Sequence, residues 1–299
     1  MVASSEQIVV KGRLIKIGSL CEEWDDDIEN PEEFLRSLKR TSAKMDIFSF
    51  VQRLPESVPN FDYFMEWDSV AAIPITTYEN WIKRQIAQNS RKKIGFAQRK
   101  GVEIRRMTFN DDLVKGILSI YHEAPILQGT PNTQYNTDYQ TAKRLNSTYL
   151  DRAHFIGAFY KDELIAYIKL VSSEKFMRTM GILSKIAHRE KGAMNLLLAT
   201  AVQICVEQNM PYLTFGKFNY GKRGSRTLKT FKKNLGFESI ILPRYYIPLT
   251  SWGSLVLDLG LHREIVEYLP QKLIWTLLEV RKSYYTTMYK RKLSRGGPH

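Results

Sequence analysis

From Gly101 onward, hydrophobic and polar positions follow one another with the periods of strands and helices. The pattern predicts strands at 102–107, 155–160, 164–171, 176–186, 212–215 and 237–247. It predicts helices at 110–120, 137–150, 189–208 and 225–235. A short turn at 161–163 joins two strands as an antiparallel hairpin, whereas single helices between the later strands favour parallel pairing. We therefore expect an α/β domain in which helices flank a central mixed sheet.

The segment before residue 101 predicts fewer elements. Strand patterns occur at 7–18, 45–51 and 61–75, and a helix is expected at 30–43 because Asn30 and Pro31 are a favourable start. A capping-box pattern at Thr76 and Glu79 opens a second helix. Its apolar stripe contains Ile82, Ile86, Ile94 and Ala97.

The last segment is basic and helical, with a break at Pro270. One apolar stripe runs through Leu273, Leu277, Val280, Tyr284 and Met288. Packing against the core and contact with a membrane surface both fit such a stripe, since basic residues follow it. We divide the chain into an N-terminal α/β extension (1–100), an α/β domain (101–250) and a C-terminal basic helical segment (251–299).

Composition narrows the class of protein. A hydrophobic content of 43% and an aromatic content of 12% are typical of globular chains. No apolar run reaches the roughly 20 residues of a membrane span, and the N-terminus lacks the pattern of a secretory signal. Cys21 and Cys205 match neither a zinc spacing nor a disulfide framework. We expect a cytoplasmic protein with reduced thiols and no metal.

The net charge of +13 is unevenly distributed. Acidic residues concentrate at 22–33, and basic residues concentrate at 83–106, 217–233 and 281–295. The middle cluster contains no acid and attracts phosphate groups, whether of a cofactor, a nucleotide sugar, transfer RNA or a lipid headgroup. A solvated helix face is the alternative. The candidate phosphate-binding residues are Lys217, Lys222, Arg223, Arg226 and Lys232.

The junction of the strand at 181–186 with the helix that follows has a distinctive motif. Its residues, Arg189-Glu-Lys-Gly192-Ala193-Met194, resemble the Q/R-x-x-G-x-G/A turn of the GNAT superfamily of N-acetyltransferases, with Met194 in place of the last small residue. The resemblance covers about half of the chain, from Val102 to Pro248. It implies that backbone N–H groups of the turn hold a pyrophosphate and that the strand faces a pantetheine arm. The implied cofactor-binding residues are Leu183, Ser184, Lys185, Ile186, Arg189, Lys191, Gly192, Ala193 and Ser225.

A second motif points to one branch of that superfamily. Lys232 lies four residues before Gly236, where such domains usually have a tyrosine. This lysine, in a basic helix, looks like that of the Fem-type peptidoglycan aminoacyltransferases and their exopolysaccharide-associated relatives. The similarity extends over residues 60–270. Since Fem-type proteins contain two such domains, the N-terminal segment here is expected to be a degenerate half of a tandem.

Acyl transfer to an amine requires a neutral amine, a polarised carbonyl and a protonated leaving group. Tyr220 is a candidate acid in place of the missing tyrosine, although a loop tyrosine also serves as a packing residue. His122 and Glu123 are candidates for a proton relay near the acceptor, and a solvated helix end is their alternative role. No Ser-His-Asp or Cys-His arrangement stands out in the sequence.

These features predict an N-acyltransferase that uses acetyl-CoA or another acyl-CoA. Its acceptor would be a small molecule or a cell-envelope precursor, with the amine of an amino sugar or an amino acid as the target. One alternative is a Fem-type transferase whose donor is aminoacyl-tRNA, and another is a non-catalytic module of this fold that binds phosphate or RNA. We expect the protein to act in the cytoplasm, in solution or at the inner membrane surface, which the C-terminal helix would contact.

Overall fold

The computed structural model describes residues 8–21, 23, 28, 30–38, 44–127, 130–221, 226–263 and 270–295. They form two compact units, each built from separate stretches of chain. The first unit comprises the described parts of 1–72, 215–221 and 238–268, and the second comprises those of 73–214, 222–237 and 269–299. The predicted division at residues 100 and 250 separates consecutive segments of the chain, and it stays a prediction.

The elements before the middle of the chain are β1 (Ile8–Lys11), β2 (Ile17–Leu20), α1 (Pro31–Leu38), β3 (Ile47–Val51), β4 (Phe64–Pro74), α2 (Tyr78–Asn80), a π-helix (Trp81–Gln85), α3 (Gln88–Arg99), β5 (Glu103–Met107), α4 (Asp111–Tyr121), β6 (Ile126–Leu127), β7 (Thr130–Pro131) and α5 (Tyr139–Asn146). Those that follow are β8 (Ala153–Tyr160), β9 (Glu163–Ser172), β10 (Met177–Ser184), a 3-10 helix (Ile186–Lys191), α6 (Ala193–Glu207), β11 (Tyr212–Lys217), α7 (Arg226–Asn234), β12 (Glu238–Pro248), α8 (Ser251–Asp258) and α9 (Gln271–Arg295).

The first unit contains strands in the order β1-β2-β3-β12-β4. Only β2 and β3 are parallel among these neighbours. An aromatic cluster fills the core, with the Phe50 and Tyr245 ring centroids 5.1 Å apart. The Tyr245 hydroxyl donates to Gln52 Oε1 at 2.9 Å and accepts from Asn60 N–H at 2.9 Å. This buried hydroxyl is therefore fully used in joining β12 to the chain after β3.

The second unit contains strands in the order β5-β8-β9-β10-β11. All neighbours are antiparallel except β10 and β11, which are parallel as predicted. Lys161 and Asp162 have φ values of 50° and 64°, the left-handed conformation of a two-residue hairpin turn. Among the described helices of this unit, α4 and α6 contribute most of the buried apolar side chains. A mixed sheet flanked by helices is thus confirmed.

Four local predictions were wrong, the first being the single strand expected at 7–18, which is two antiparallel strands, β1 and β2. The helix expected from Thr76 through Ala97 is capped by Thr77 and not by Thr76. It is interrupted at Ile86, because this residue has an extended backbone with ψ 147°. There the N–H of Ala87 donates to the carbonyl of Asn234 at 2.9 Å, outside the helix. A long-range hydrogen bond has replaced a helical one.

The helix expected to begin at Arg189 begins at Ala193 instead. Gly192 has a φ of 74°, which ends the preceding 3-10 helix and prevents one continuous helix. The last strand was expected to be parallel to a neighbour, but β12 is antiparallel to both β3 and β4. The first helix ends at Leu38, and the rest of its predicted range lies outside the described residues.

Candidate functional site

One edge of β10 is paired with a neighbouring strand over only a short part of its length. β10 pairs with β9 from Met177 to Ser184 but with β11 only at Met177 and Arg178. A register shift between Thr179 and Gly181 bends β10 where the two strands separate. Beyond Arg178 no described strand is paired with this edge, so its backbone groups can accept an extended ligand. The predicted donor-binding residues Leu183 and Ser184 lie on this segment.

The turn after β10 already holds a carboxylate. Glu123, which follows α4, accepts hydrogen bonds from the backbone N–H groups of Ile186 and Ala187, the second at 2.8 Å. These are the first N–H groups of the 3-10 helix, which have no partner within the helix. The sequence assigned a pyrophosphate to the N–H groups at 189–193, and the carboxylate of Glu123 is bound a few residues before them.

The side chains of the turn are also engaged. Glu163 at the start of β9 contacts Lys185 Nζ at 2.5 Å and His188 Nε2 at 3.3 Å. The hydrogen bond from Lys185 lowers the pKa of Glu163, so this carboxylate is ionised at neutral pH. Lys191 Nζ lies 3.9 Å from the Tyr160 ring centroid. Of the predicted cofactor-binding cations, Arg189 is exposed to solvent.

The beginning of α6 is covered by another helix. Gly192 and Ala193 are buried, and a Cβ at Gly192 would lie 3.0 Å from the carbonyl oxygen of Lys93 in α3. The glycine is therefore required both for its positive φ and for the close approach of α3. The motif residue that resembles a phosphate-binding glycine has a packing role in this fold.

The predicted phosphate-binding residues do not form one cluster of unpaired cations. Lys217 Nζ lies 2.6 Å from Asp68 Oδ2, and the Arg226 guanidinium stacks 4.3 Å from the Trp275 ring centroid. Lys232 is 0% exposed, and burial lowers its pKa from 10.5 to about 8. Lys222, Arg223 and Ser225 lie outside the described residues. The acid that pairs with Lys217 comes from β4, far away in sequence.

The three candidate catalytic residues lie in different surroundings. His122 is exposed at the end of α4, and its Nε2 donates to the carbonyl of Thr137 at 2.8 Å. Tyr220 is 46% exposed, and partial burial raises its pKa, so the phenol is protonated at neutral pH. The structure brings Glu123 into hydrogen bonding with the turn after β10.

Known proteins of this architecture were found by structure alone. No family model matches the sequence, and no curated protein is significantly similar to it. The C-terminal domain of a lysylphosphatidylglycerol synthetase from Agrobacterium fabrum is similar in structure with a TM-score of 0.53, 13% identity and coverage of 86% of both chains. FemX has a TM-score of 0.48, 11% identity and coverage of 73% of this chain and 70% of its own.

An acetyltransferase assigned to the GNAT family, from Desulfovibrio desulfuricans, covers 50% of this chain and 99% of its own, with a TM-score of 0.36 and 14% identity. The fold is GNAT-like. At 13% identity the similarity to the lysylphosphatidylglycerol synthetase domain concerns the architecture alone.

The GNAT-like unit contains a buried polar cluster that the sequence motifs did not reveal. Lys169 Nζ donates to the carbonyls of Asn146 and Thr148 at 3.0 and 2.7 Å, and to the Thr148 hydroxyl at 2.8 Å. The Tyr167 hydroxyl lies 3.4 Å from that of Tyr121, and burial raises the pKa of Tyr167 well above its usual value. A lysine inside the apolar strand 164–171 was the available signal. Lys169 lies opposite Gly181, directly beside the bulge in β10.

Within the described residues, no group of histidine, cysteine and acidic side chains is arranged to hold a metal ion. None of the helices described is both long enough and apolar enough to cross a bilayer.

Proposed function

We propose that this protein transfers an aminoacyl or other acyl group from an activated donor to an amine. The observation that carries the proposal is the edge of β10, which loses its β11 partner after Arg178 while the strand continues to Ser184. A carbonyl bound against this edge would be polarised by backbone N–H groups as it is attacked. The attacking amine forms a C–N bond, the C–O or C–S bond breaks, and the proton of the amine passes to the leaving group.

Glu123 favours an aminoacyl ester of transfer RNA as the donor. A CoA diphosphate bound to the N–H groups at 189–193 would lie a few residues from a carboxylate that is already fixed on Ile186 and Ala187, and these like charges repel. The fold similarity to a lysylphosphatidylglycerol synthetase domain, whose product carries an aminoacyl group, agrees with this donor.

Acyl-CoA is the second candidate donor, and it too rests on β10. The amide groups of a pantetheine arm can pair with the same strand edge as a short extended chain would. The two donors differ in what they require at the turn, since only the CoA thioester carries a diphosphate close to its acyl arm.

The test compares the wild type with Glu123→Ala in thermal shifts with acetyl-CoA and with a mixture of aminoacylated transfer RNAs. We expect the RNA to raise the melting temperature of both proteins and acetyl-CoA to raise only that of the variant. Saturating ligand at about 100 times its dissociation constant stabilises a protein by about 2.7 kcal/mol. Asp112→Ala, which removes an exposed carboxylate from the start of α4, is the charge-matched control and should behave as the wild type.

If acetyl-CoA raised the melting temperature of the wild type and of Glu123→Ala equally, acyl-CoA would be the favoured donor. Failure of every donor to bind, and of every donor to support release of its leaving group with an amine acceptor, would contradict acyl transfer itself.

A further inference from the structure

The helix α9 carries two separate apolar faces. Ile274 is buried, and Leu278 and Tyr285 on the same side are half-buried. Arg226 stacks on Trp275, so that the helix is also held from another direction. This face accounts for the attachment of α9 to the second unit. It leaves the remaining large apolar residues of the helix unexplained.

The second face is exposed to solvent along four turns. Its members recur at intervals of three and four residues and therefore form one stripe along the helix. They are Leu273 (45% exposed), Leu277 (54%), Val280 (61%), Tyr284 (58%) and Met288 (43%). Scattered apolar residues are normal on a protein surface, but a continuous stripe of aliphatic and aromatic side chains marks a contact surface.

The charge of the same helix indicates the chemistry of the contact. In α9 the single acidic residue, Glu279, is outnumbered by Lys272, Arg281, Lys282, Lys290, Arg291, Lys292 and Arg295. Two copies of so basic a helix would repel each other if they paired through the stripe. RNA would be attracted by the charge, but its phosphate backbone would not bury a stripe of five aliphatic and aromatic side chains. An anionic lipid surface satisfies both features, since it offers headgroup charge and an apolar layer beneath it.

We propose that the stripe from Leu273 to Met288 docks the protein on an anionic lipid surface, to which the net positive charge of α9 attracts it. α9 lies in the plane of the interface in this arrangement and does not cross the bilayer, in keeping with the absence of a spanning helix among the described residues. Tyr284 supplies an amphipathic ring of the kind that is enriched at such interfaces. The docking surface requires no catalytic activity.

The test is vesicle sedimentation of the full chain with phosphatidylcholine vesicles and with mixed phosphatidylcholine–phosphatidylglycerol vesicles. We expect binding to the mixed vesicles that weakens as salt is added, and little binding to the neutral ones. The double variant Leu277→Glu, Val280→Glu should lower the bound fraction about tenfold or more, since it places two carboxylates in the apolar layer.

A matched control separates the stripe from simple charge. Thr276→Glu, Ser283→Glu adds the same two negative charges to the same helix but outside the stripe, and it should retain most of the binding. All four positions are exposed, so both variants should keep the melting temperature of the wild type. If the two glutamates of the stripe variant lower its melting temperature, the double variant Leu277→Ser, Val280→Ser provides a milder version of the same test.

Several results would overturn the proposal. Equal binding to neutral vesicles would show that anionic lipid is not required. Equal losses of vesicle binding in the two glutamate variants would show that the stripe is not the contact surface. A wild-type dimer that becomes monomeric only in the stripe variant, with no vesicle binding, would assign the stripe to self-association. Retention on RNA that is lost only in the stripe variant would assign it to RNA.

Discussion

The two compact units bury cationic side chains in different ways. In the first unit, Arg244 forms paired hydrogen bonds with Glu23 at 2.9 and 3.0 Å and a third with Asp68 at 2.7 Å. In the second, the hydrogen bonds of Lys169 go to two carbonyls and a hydroxyl. The first unit therefore pairs a buried cation with carboxylates, whereas the described hydrogen bonds of Lys169 in the second unit go to neutral oxygens.

The difference shows which cations are available for function. Burial alone would raise the pKa of Asp68, but Arg244 and Lys217 outweigh it and lower the pKa. Lys217, predicted to bind phosphate, is thus part of a neutralised network that joins β4 and β12. The polar groups around Lys169 instead lie beside the bulge of β10, where the candidate site is. Charge in the sequence did not distinguish these two roles.

Removing Arg244 should have the largest effect. Arg244→Ala leaves the carboxylates of Glu23 and Asp68 buried without their shared partner, and we expect a loss of about 3–5 kcal/mol in the free energy of unfolding. Urea denaturation measures it. The control is Arg105→Ala, whose ion pairs with Glu103 and Asp162 are exposed to solvent and should contribute far less than the buried network. Similar losses in both variants would show that the network is not a buried one.

Lys169→Met should cost less, about 2–3 kcal/mol, because the neutral oxygens that accept its described hydrogen bonds each lose a donor. Thr148→Ala removes only one of the three acceptors and should cost about 1 kcal/mol. Both are measured by urea denaturation at neutral pH. If Lys169→Met lost as much free energy of unfolding as Arg244→Ala, the two buried cations would not differ in what stabilises them.

Lys232 adds a smaller, pH-dependent effect in the second unit. Its pKa is lowered by burial to about 8, so between that pH and 10.5 the unfolded chain binds more protons than the folded one. The free energy of unfolding contributed by this group therefore rises with pH in that window, by about 2 kcal/mol between pH 7 and about pH 9.5. Lys232→Met should lack this rise when the two proteins are unfolded in urea at both pH values. Parallel profiles would contradict the lowered pKa.

Elements with strong local patterns could be predicted from sequence. The hairpin of β8 and β9 and the cap of α4 by Asn110 depend on neighbouring residues alone, and both are present. The pairing of β12 could not be predicted, because its partners are more than a hundred residues away in the chain. The same applies to the break at Ile86, where a distant carbonyl competes with the helix.

The turn after β10 was predictable from the sequence, but the side chain that binds its N–H groups was not. The motif at 189–194 located the turn after β10, and the structure places a turn there with Gly192 at a positive φ. That Glu123 would fill the first N–H groups of this turn depends on the approach of the end of α4, some 60 residues earlier. No local pattern contains that information.

The sequence by itself determined the GNAT-like succession of elements, since helix and strand periods and capping residues act over a few positions. It also determined the overall basic charge. Only the tertiary structure decided which charges are neutralised, as with Lys217 by Asp68, and that Glu123 binds the N–H groups of Ile186 and Ala187. The physical reason is that hydrogen bonds and ion pairs act over a few ångströms in space, whatever the separation of their partners along the chain.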